Sequence, residues 1–170
     1  VVKLPVIGLS KVDYDDSDIY ITPTMKEIDA LVAAGPDIIA MDATKRIRPG
    51  NKTLAEFFGE VRRKYPEQIF MADTSCYEEG VFAEKLGFDM VGTTMSSYTE
   101  YTKGTPLPDF PLMKKYAETL KIPVIAEGGI WTPEQLNEAL ATGVWAAVIG
   151  TAITRPQNIT ERLVRSIEKK

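Results

Sequence analysis

Short apolar runs recur along the chain, and each is followed by a longer stretch whose apolar residues return every three or four positions. The runs occupy 5–10, 37–42, 68–73, 90–94, 123–127 and 146–150. They are rich in Val, Ile and Ala and nearly continuous in hydrophobicity, as a parallel strand buried on both faces should be. The stretches between them have helical spacing. The segment 24–34 sets Met25, Ile28, Leu31 and Val32 on one stripe and stops at Gly35, and 54–65 does the same with Leu54, Phe57, Phe58 and Val61 before Pro66. The segment 75–86 opens on Ser75 with Glu78 three residues later, a capping-box spacing, and ends at Gly87. Asp109 precedes a helix through Leu120, Thr132 and Pro133 start another that ends near Gly143, and a last helix covers 158–168.

Six strand–helix units in alternation predict a parallel sheet with right-handed crossovers. A closed barrel and an open doubly wound sheet both fit. No Gly-rich dinucleotide turn follows the first run and no Walker-type loop is present, so the open sheet lacks its usual marker. Polar residues gather at the ends of the runs: Ser10-Lys11, Asp42 to Arg46, Asp73 to Ser75, Thr93-Thr94, Glu127 to Gly129 and Gly150-Thr151. In a barrel these ends converge on one cavity, whereas in an open sheet they spread along an edge. The expected fold is therefore α/β, a TIM (β/α)8 barrel. Such a barrel has eight units and about 250 residues. Residues 1–170 are accordingly read as one barrel domain that covers the last six units, the third to the eighth strand, and lacks the first two. The opening at Val1, without Met and almost directly on a strand, agrees with a fragment or a processed chain.

Composition narrows the function. A net charge of -4 leaves no broad basic field, which argues against nucleic acid and anionic lipid as partners. No apolar run approaches a bilayer span, and nothing reads as a signal peptide. The lone cysteine, Cys76, forms no internal disulfide and points to a reducing cytoplasm. The chain has no histidine, which removes Ser-His-Asp triads and nearly all catalytic zinc sites.

Lys11 is the leading candidate for chemistry, because its stem can pack against apolar residues directly after a buried strand. Taken alone, it reads first as a solvated lysine opening a loop. Glu127 follows Val124-Ile125-Ala126, where an acid is costly unless paired or functional. Its structural alternative is an ion pair with a basic loop residue. Asp73, at the mouth after Phe70-Met71-Ala72, reads either as a site residue or as a cap for the helix at Ser75, and Asp42 has the same double reading. Paired acids suggest Mg²⁺, but these stand on separate strands beside Lys11, so no metal is expected. Gly128-Gly129 and Gly150-Thr151, on the last two strands and followed by Arg155, suggest a phosphate cradle of backbone N–H groups with an added guanidinium. Cys76 is read as a small buried residue, Trp131 and Trp145 as packing between barrel and helices, and Lys45 to Arg48 as a solvent-facing run. Tyr98 and Tyr101 are read either as a cover over a sugar ring or as loop anchors. The tail 168–170 is read as an ordinary helix end.

The strings Pro5–Tyr14, Ile21–Thr24, Met41–Arg46, Met71–Ser75, Val91–Thr99, Val124–Gly128 and Ala152–Pro156 together resemble the N-acetylmannosamine-6-phosphate 2-epimerases of bacterial sialic acid catabolism. The resemblance runs in order over essentially the whole chain. It implies a metal-independent barrel, with no cofactor, that interconverts N-acetylmannosamine 6-phosphate and N-acetylglucosamine 6-phosphate by proton removal and return at C2. It further implies Lys11 and Glu127 as catalytic residues, Asp73 and Arg155 as substrate contacts, a small sugar phosphate as ligand and a homodimer as assembly. The family's first two units, which add a glutamine and an arginine to the site, have no counterpart here, and Thr151 stands where many relatives carry glycine. Two rival expectations are another phosphate-binding barrel enzyme of the lysine Schiff-base type, and an inactive truncated barrel.

Overall fold

The structure is a computed structural model and describes residues 3–167. The readings placed on Val1, on the final turn at Glu168 and on the tail 168–170 lie outside the described residues.

Six strands alternate with helices as the hydrophobic pattern predicts: β1 (Ile7–Gly8), α1 (Met25–Ala34), β2 (Ile38–Asp42), α2 (Leu54–Lys64), β3 (Ile69–Asp73), α3 (Tyr77–Leu86), β4 (Met90–Gly92), α4 (Phe110–Thr119), β5 (Val124–Glu127), α5 (Pro133–Ala141), β6 (Ala146–Val148), α6 (Thr151–Thr154) and α7 (Pro156–Ile167). The strands form one sheet in the order β1-β2-β3-β4-β5-β6, every neighbouring pair parallel. A strand order without reversal is not that of a doubly wound sheet.

The two faces of the sheet are packed differently. One cluster joins Ile39, Met41, Phe70, Ala72, Val91, Val124 and Ala126 to helix residues such as Ile28, Phe58, Val61 and Tyr116. Within it Phe58 stacks on Phe88 at 3.7 Å and meets Phe70 edge-on. The other cluster contains strand residues alone: Ile38, Ala40, Met71, Met90 and Ile125, with Ala146 and Val148 against them. Alternation along each strand sends one residue to the helices and the next to the concave side. Helices α1 to α5 therefore cover one face, and the strands' own side chains fill the other. This is a curled, partial barrel-like α/β sheet.

Local signals account for the helix boundaries. Thr24 with Glu27, Thr53 with Glu56 and Thr132 with Gln135 each close a capping box, and Gly35 and Gly87 end their helices in the left-handed region. Asp109 caps α4 by accepting from the Leu112 N–H. One boundary differs from expectation. The cap of α3 is Cys76, which makes no side-chain cap bond, and Ser75 instead gives its N–H and Oγ–H to Glu79. The partner lies four residues on, not three, because Glu79 also takes the Lys45 N–H and the Tyr101 hydroxyl and so belongs to a loop junction. A further difference is the short helix α6, which precedes α7, itself starting at Pro156.

The first run is a strand over two residues only. After Gly8 the chain leaves the ladder and is met antiparallel by a returning segment, with Val12 N–H bonded to Tyr20 O, Thr22 N–H to Ser10 O and a bridge between Lys11 and Ile21. That bridge holds the Lys11 backbone against buried Ile21.

Candidate active site

The residues at the C-terminal ends of the strands belong to the concave set. Ile38, Ala40 and Asp42 share a face, as do Met71 and Asp73, Met90 and Gly92, Ile125 and Glu127, and Ala146 and Val148. An apolar layer thus carries a polar layer directly above it. Asp42 and Asp73 are partners in register.

A cavity of ≈1160 Å³ opens over this layer. Its walls include Lys11 after β1, Thr94 after β4, Glu127 to Gly129 after β5, and Gly150, Thr151 and Arg155 after β6. Four strand spacings of about 4.8 Å would set β1 and β5 about 19 Å apart in a flat sheet, too far for Lys11 and Glu127 to share a wall. The curl brings them together, close enough for the Lys11 charge to favour the ionised forms of both Glu127 and Asp73. The cavity exceeds the roughly 300–1,000 Å³ of closed ligand pockets, as a cleft does when no strand among the described residues bridges β6 to β1.

Each expected site residue has a definite place. Lys11 is exposed, not packed into apolar surroundings, because β1 is an edge strand among the described residues; its ammonium lies 5.6 Å from the Tyr20 ring centroid. Glu127 is half-buried. Burial pushes its carboxyl above the ordinary range, while the Thr94 hydroxyl and the Lys11 charge act in the opposite sense. Asp73 does not stand at the mouth but is wholly buried, and it caps no helix. One oxygen, Oδ1, accepts from the Thr94 hydroxyl at 2.6 Å; the other, Oδ2, is the one buried side-chain polar atom among the described residues without a hydrogen-bond partner. Burial first, and the neighbouring Glu127 charge second, hold the Asp73 carboxyl well above its usual value.

Asp42 reaches a different end. Its Oδ1 takes the N–H and hydroxyl of Thr44, and Oδ2 is ion-paired with Arg46. The run 45–48 is therefore not simply solvent-facing. Arg48 is 1% exposed, donates to the carbonyls of Thr22, Pro23 and Asp42, lies over the Phe57 ring, and is lowered by burial to about 10. It ties the loop before α1 to the end of β2, where Thr22 is held at φ 46 with its hydroxyl on Ala40 O.

The phosphate cradle is partly recognisable. Gly128 and Gly129 have φ of 107° and 73°, and a Cβ on Gly129 would fall 2.5 Å from Leu107 Cβ, so both conformation and space require glycine there. Gly150 has neither constraint, and Thr151 follows it as the first residue of α6 without crowding. Arg155, exposed at the end of α6, faces the same cavity.

Sequence reasoning noted Thr93-Thr94 only as a polar strand end and passed over Gly92, and the structure sets all three beside the two acids. Thr94 Oγ1 lies 2.6 Å from Asp73 Oδ1 and 3.3 Å from Glu127 Oε2. Thr93 clamps the Glu127 backbone, taking its N–H at 3.0 Å and donating to its carbonyl at 2.8 Å. A Cβ on Gly92 would meet Thr94 Oγ1 at 2.9 Å. The signal was a polar pair ending a buried run, but nothing local says which acids it serves. Among the other residues, Trp145 is 72% exposed and not packed between sheet and helices, Trp131 lines the cavity under Arg162, Tyr98 is exposed on the cavity wall, and Tyr101 anchors its loop through Glu79. Burial pushes the half-buried Cys76 thiol up, which suits an unreactive residue. Among the described residues no group of three His, Cys, Asp or Glu side chains has metal-binding spacing, and no helix is long and apolar enough to cross a membrane.

Three comparisons bear on this site. The model of a family described as "Putative N-acetylmannosamine-6-phosphate epimerase" matches residues 1–169. A protein of Caldanaerobacter subterraneus subsp. tengcongensis is 51% identical over 169 residues, 99% of this chain and 71% of the relative. One from Clostridium perfringens strain SM101 is 52% identical over 162 residues, 95% and 72% of the two chains, and both bear the name "Putative N-acetylmannosamine-6-phosphate 2-epimerase". Among solved structures, the N-acetylmannosamine-6-phosphate 2-epimerase from Clostridium perfringens superposes with a TM-score of 0.89 at 51% identity, covering 96% of this chain and 70% of that one. A thiamine phosphate pyrophosphorylase from Pyrococcus furiosus, at 24% identity and a TM-score of 0.56, covers 84% of this chain and 64% of that one and shares the fold alone. With half of its residues identical along nearly its whole length, and the same curled sheet beneath its acids and lysine, this chain belongs to the N-acetylmannosamine-6-phosphate 2-epimerase family.

Proposed function

We infer that this chain is an isomerase that interconverts N-acetylmannosamine 6-phosphate and N-acetylglucosamine 6-phosphate, a step of amino-sugar and sialic acid catabolism. Family membership supports the reaction. The observation that carries the site is that Lys11, Glu127 and the glycine turns with Arg155 line one cavity although they come from opposite ends of the chain.

The chemistry is proton exchange at a carbon next to a carbonyl, which needs a base on the carbon and donors for the developing enolate. Lys11 takes the C2 proton. Glu127, half-buried and shifted toward its protonated form, exchanges a proton with the sugar or orients Lys11. Asp73 is assigned the substrate contact through Oδ2, its oxygen without a partner, which lies buried behind the cavity wall beside Thr94. The phosphate lies at the other wall, on the N–H groups of Gly128, Gly129, Gly150 and Thr151, with Arg155 adding a charge-assisted contact.

Residues 1–170 form one barrel domain in this reading, and β1 to β6 correspond to the third to eighth strands of an eight-unit barrel. The unbroken strand order, and relatives of which the chain covers 71% and 72%, support it. A cytoplasmic homodimer is the proposed assembly.

The test is solvent exchange at C2. With N-acetylmannosamine 6-phosphate in deuterated water, the protein should incorporate deuterium at C2 and form N-acetylglucosamine 6-phosphate, and Lys11→Ala should abolish both, as followed by proton NMR. Retention of exchange by Lys11→Ala would remove the lysine from its role. Trapping of Lys11 by borohydride in the presence of substrate would favour Schiff-base chemistry instead.

A further inference from the structure

Asp73 and Glu127 stand on β3 and β5, which are not neighbours; β4 runs between them. The residue that spans the gap is Thr94, two positions beyond the end of β4, with its Oγ1 2.6 Å from Asp73 Oδ1 and 3.3 Å from Glu127 Oε2. A hydroxyl has one hydrogen and two lone pairs. It donates to one carboxylate at a time, and the other carboxyl completes its contact only by donating a proton of its own to Thr94 Oγ1.

We propose that Thr94 is a positioning residue that makes Asp73 and Glu127 hold one shared proton and passes that proton between them during turnover. The proposal rests on the epimerase reading for its turnover step and on the contacts alone for the shared proton. The shared proton starts on Asp73, which donates to Thr94 Oγ1 while Thr94 donates to the ionised Glu127. As C2 of the enolate takes a proton from Glu127, the Thr94 O–H proton moves to Glu127 Oε2 and the Asp73 proton moves to Thr94 Oγ1, so the Asp73 O–H bond is lost and one C–H bond is formed. Both acids end ionised opposite Lys11, which carries the proton taken from C2. That proton passes back to the pair through solvent and resets the site.

Three consecutive residues serve this link. Gly92 leaves room for the hydroxyl, since a Cβ there would lie 2.9 Å from Thr94 Oγ1. Thr93 fixes the Glu127 backbone through both its N–H and its carbonyl, so the carboxylate cannot drift from Thr94. Burial pushes both carboxyls toward their protonated forms, and the Glu127 charge further disfavours ionisation of Asp73.

The experiment compares Thr94→Val and Thr94→Ser. Thr94→Val should lower kcat by about 10- to 100-fold with KM within about threefold, and Thr94→Ser should recover most of the loss, magnitudes in keeping with a disturbed general acid. The limb of the pH–rate profile governed by the carboxyl pair should move to higher pH in Thr94→Val, because the hydroxyl favours the ionised forms. An unmoved limb, or equal impairment of both variants with an unmoved limb, overturns the proposal. Infrared difference titration of wild type against Asp73→Asn and Glu127→Gln counts protonated carboxyls without substrate. One shared proton at neutral pH is expected, and two ionised carboxylates overturn the proposal even if the protein epimerises. A shared proton in a protein that leaves N-acetylmannosamine 6-phosphate unchanged overturns the functional reading alone.

Discussion

Asp42 and Asp73 are partners in register at the ends of adjacent strands, both on the concave side and both buried. Asp42 has its charge met by Arg46 and its remaining lone pairs met by Thr44. Among the described residues Asp73 has one hydroxyl, no cation in contact, a second carboxylate nearby and one oxygen without a partner. A buried carboxylate is stabilised only when its partners replace water. The Asp42 corner is thus built as structure. The Asp73 corner is left under-satisfied, and burial with a carboxylate neighbour holds that group toward its protonated form. The same residue type, one strand apart, has acquired opposite electrostatics from its neighbours.

The largest expected effect comes from giving Asp42 the condition of Asp73. Arg46→Met leaves a buried, unpaired carboxylate and should destabilise the fold by about 3–5 kcal/mol, measured by urea unfolding. Little change would mean that the two corners differ less than their contacts suggest.

Next, Asp73→Asn should lower kcat by about 100-fold or more, as loss of a group that acts on a proton in the transition state does. The same variant tests the pH linkage. A carboxyl raised in the folded state binds its proton more tightly there than in the unfolded chain. Stability is then full below the unfolded value and falls as pH rises toward the folded value. Wild type should lose stability across that window. Asp73→Asn should flatten the slope and be more stable than wild type at neutral pH. A steeper slope in the variant would reverse the assignment.

The smallest effect sharpens the comparison without altering a charge. Gly92→Ala pushes a methyl group against Thr94 Oγ1 and should cost about 1–2 kcal/mol of transition-state stabilisation, or about 5- to 30-fold in kcat/KM. An unaffected kcat/KM would show that Thr94 adjusts freely.

Much of this was legible before any coordinates. Continuous apolar runs separated by helical stripes determined the alternation of strands and helices, because burial on both faces and burial on one stripe leave different periods. An acid directly after a buried run marked Glu127, Asp73 and Asp42, and paired glycines marked the turn after β5. These signals are local, and so the chain alone carries them. What only the tertiary structure decided is which acid is satisfied and which is not. Arg46 meets Asp42 from four residues away, but Thr94 reaches Asp73 across 21 residues and Glu127 across 33, and Arg48 spans 26 to bond Thr22. The curl that sets Lys11 opposite Glu127 is likewise a property of the whole sheet. The alternation of two told which side chains look into the barrel; only the closing of strand upon strand determined what each of them meets there.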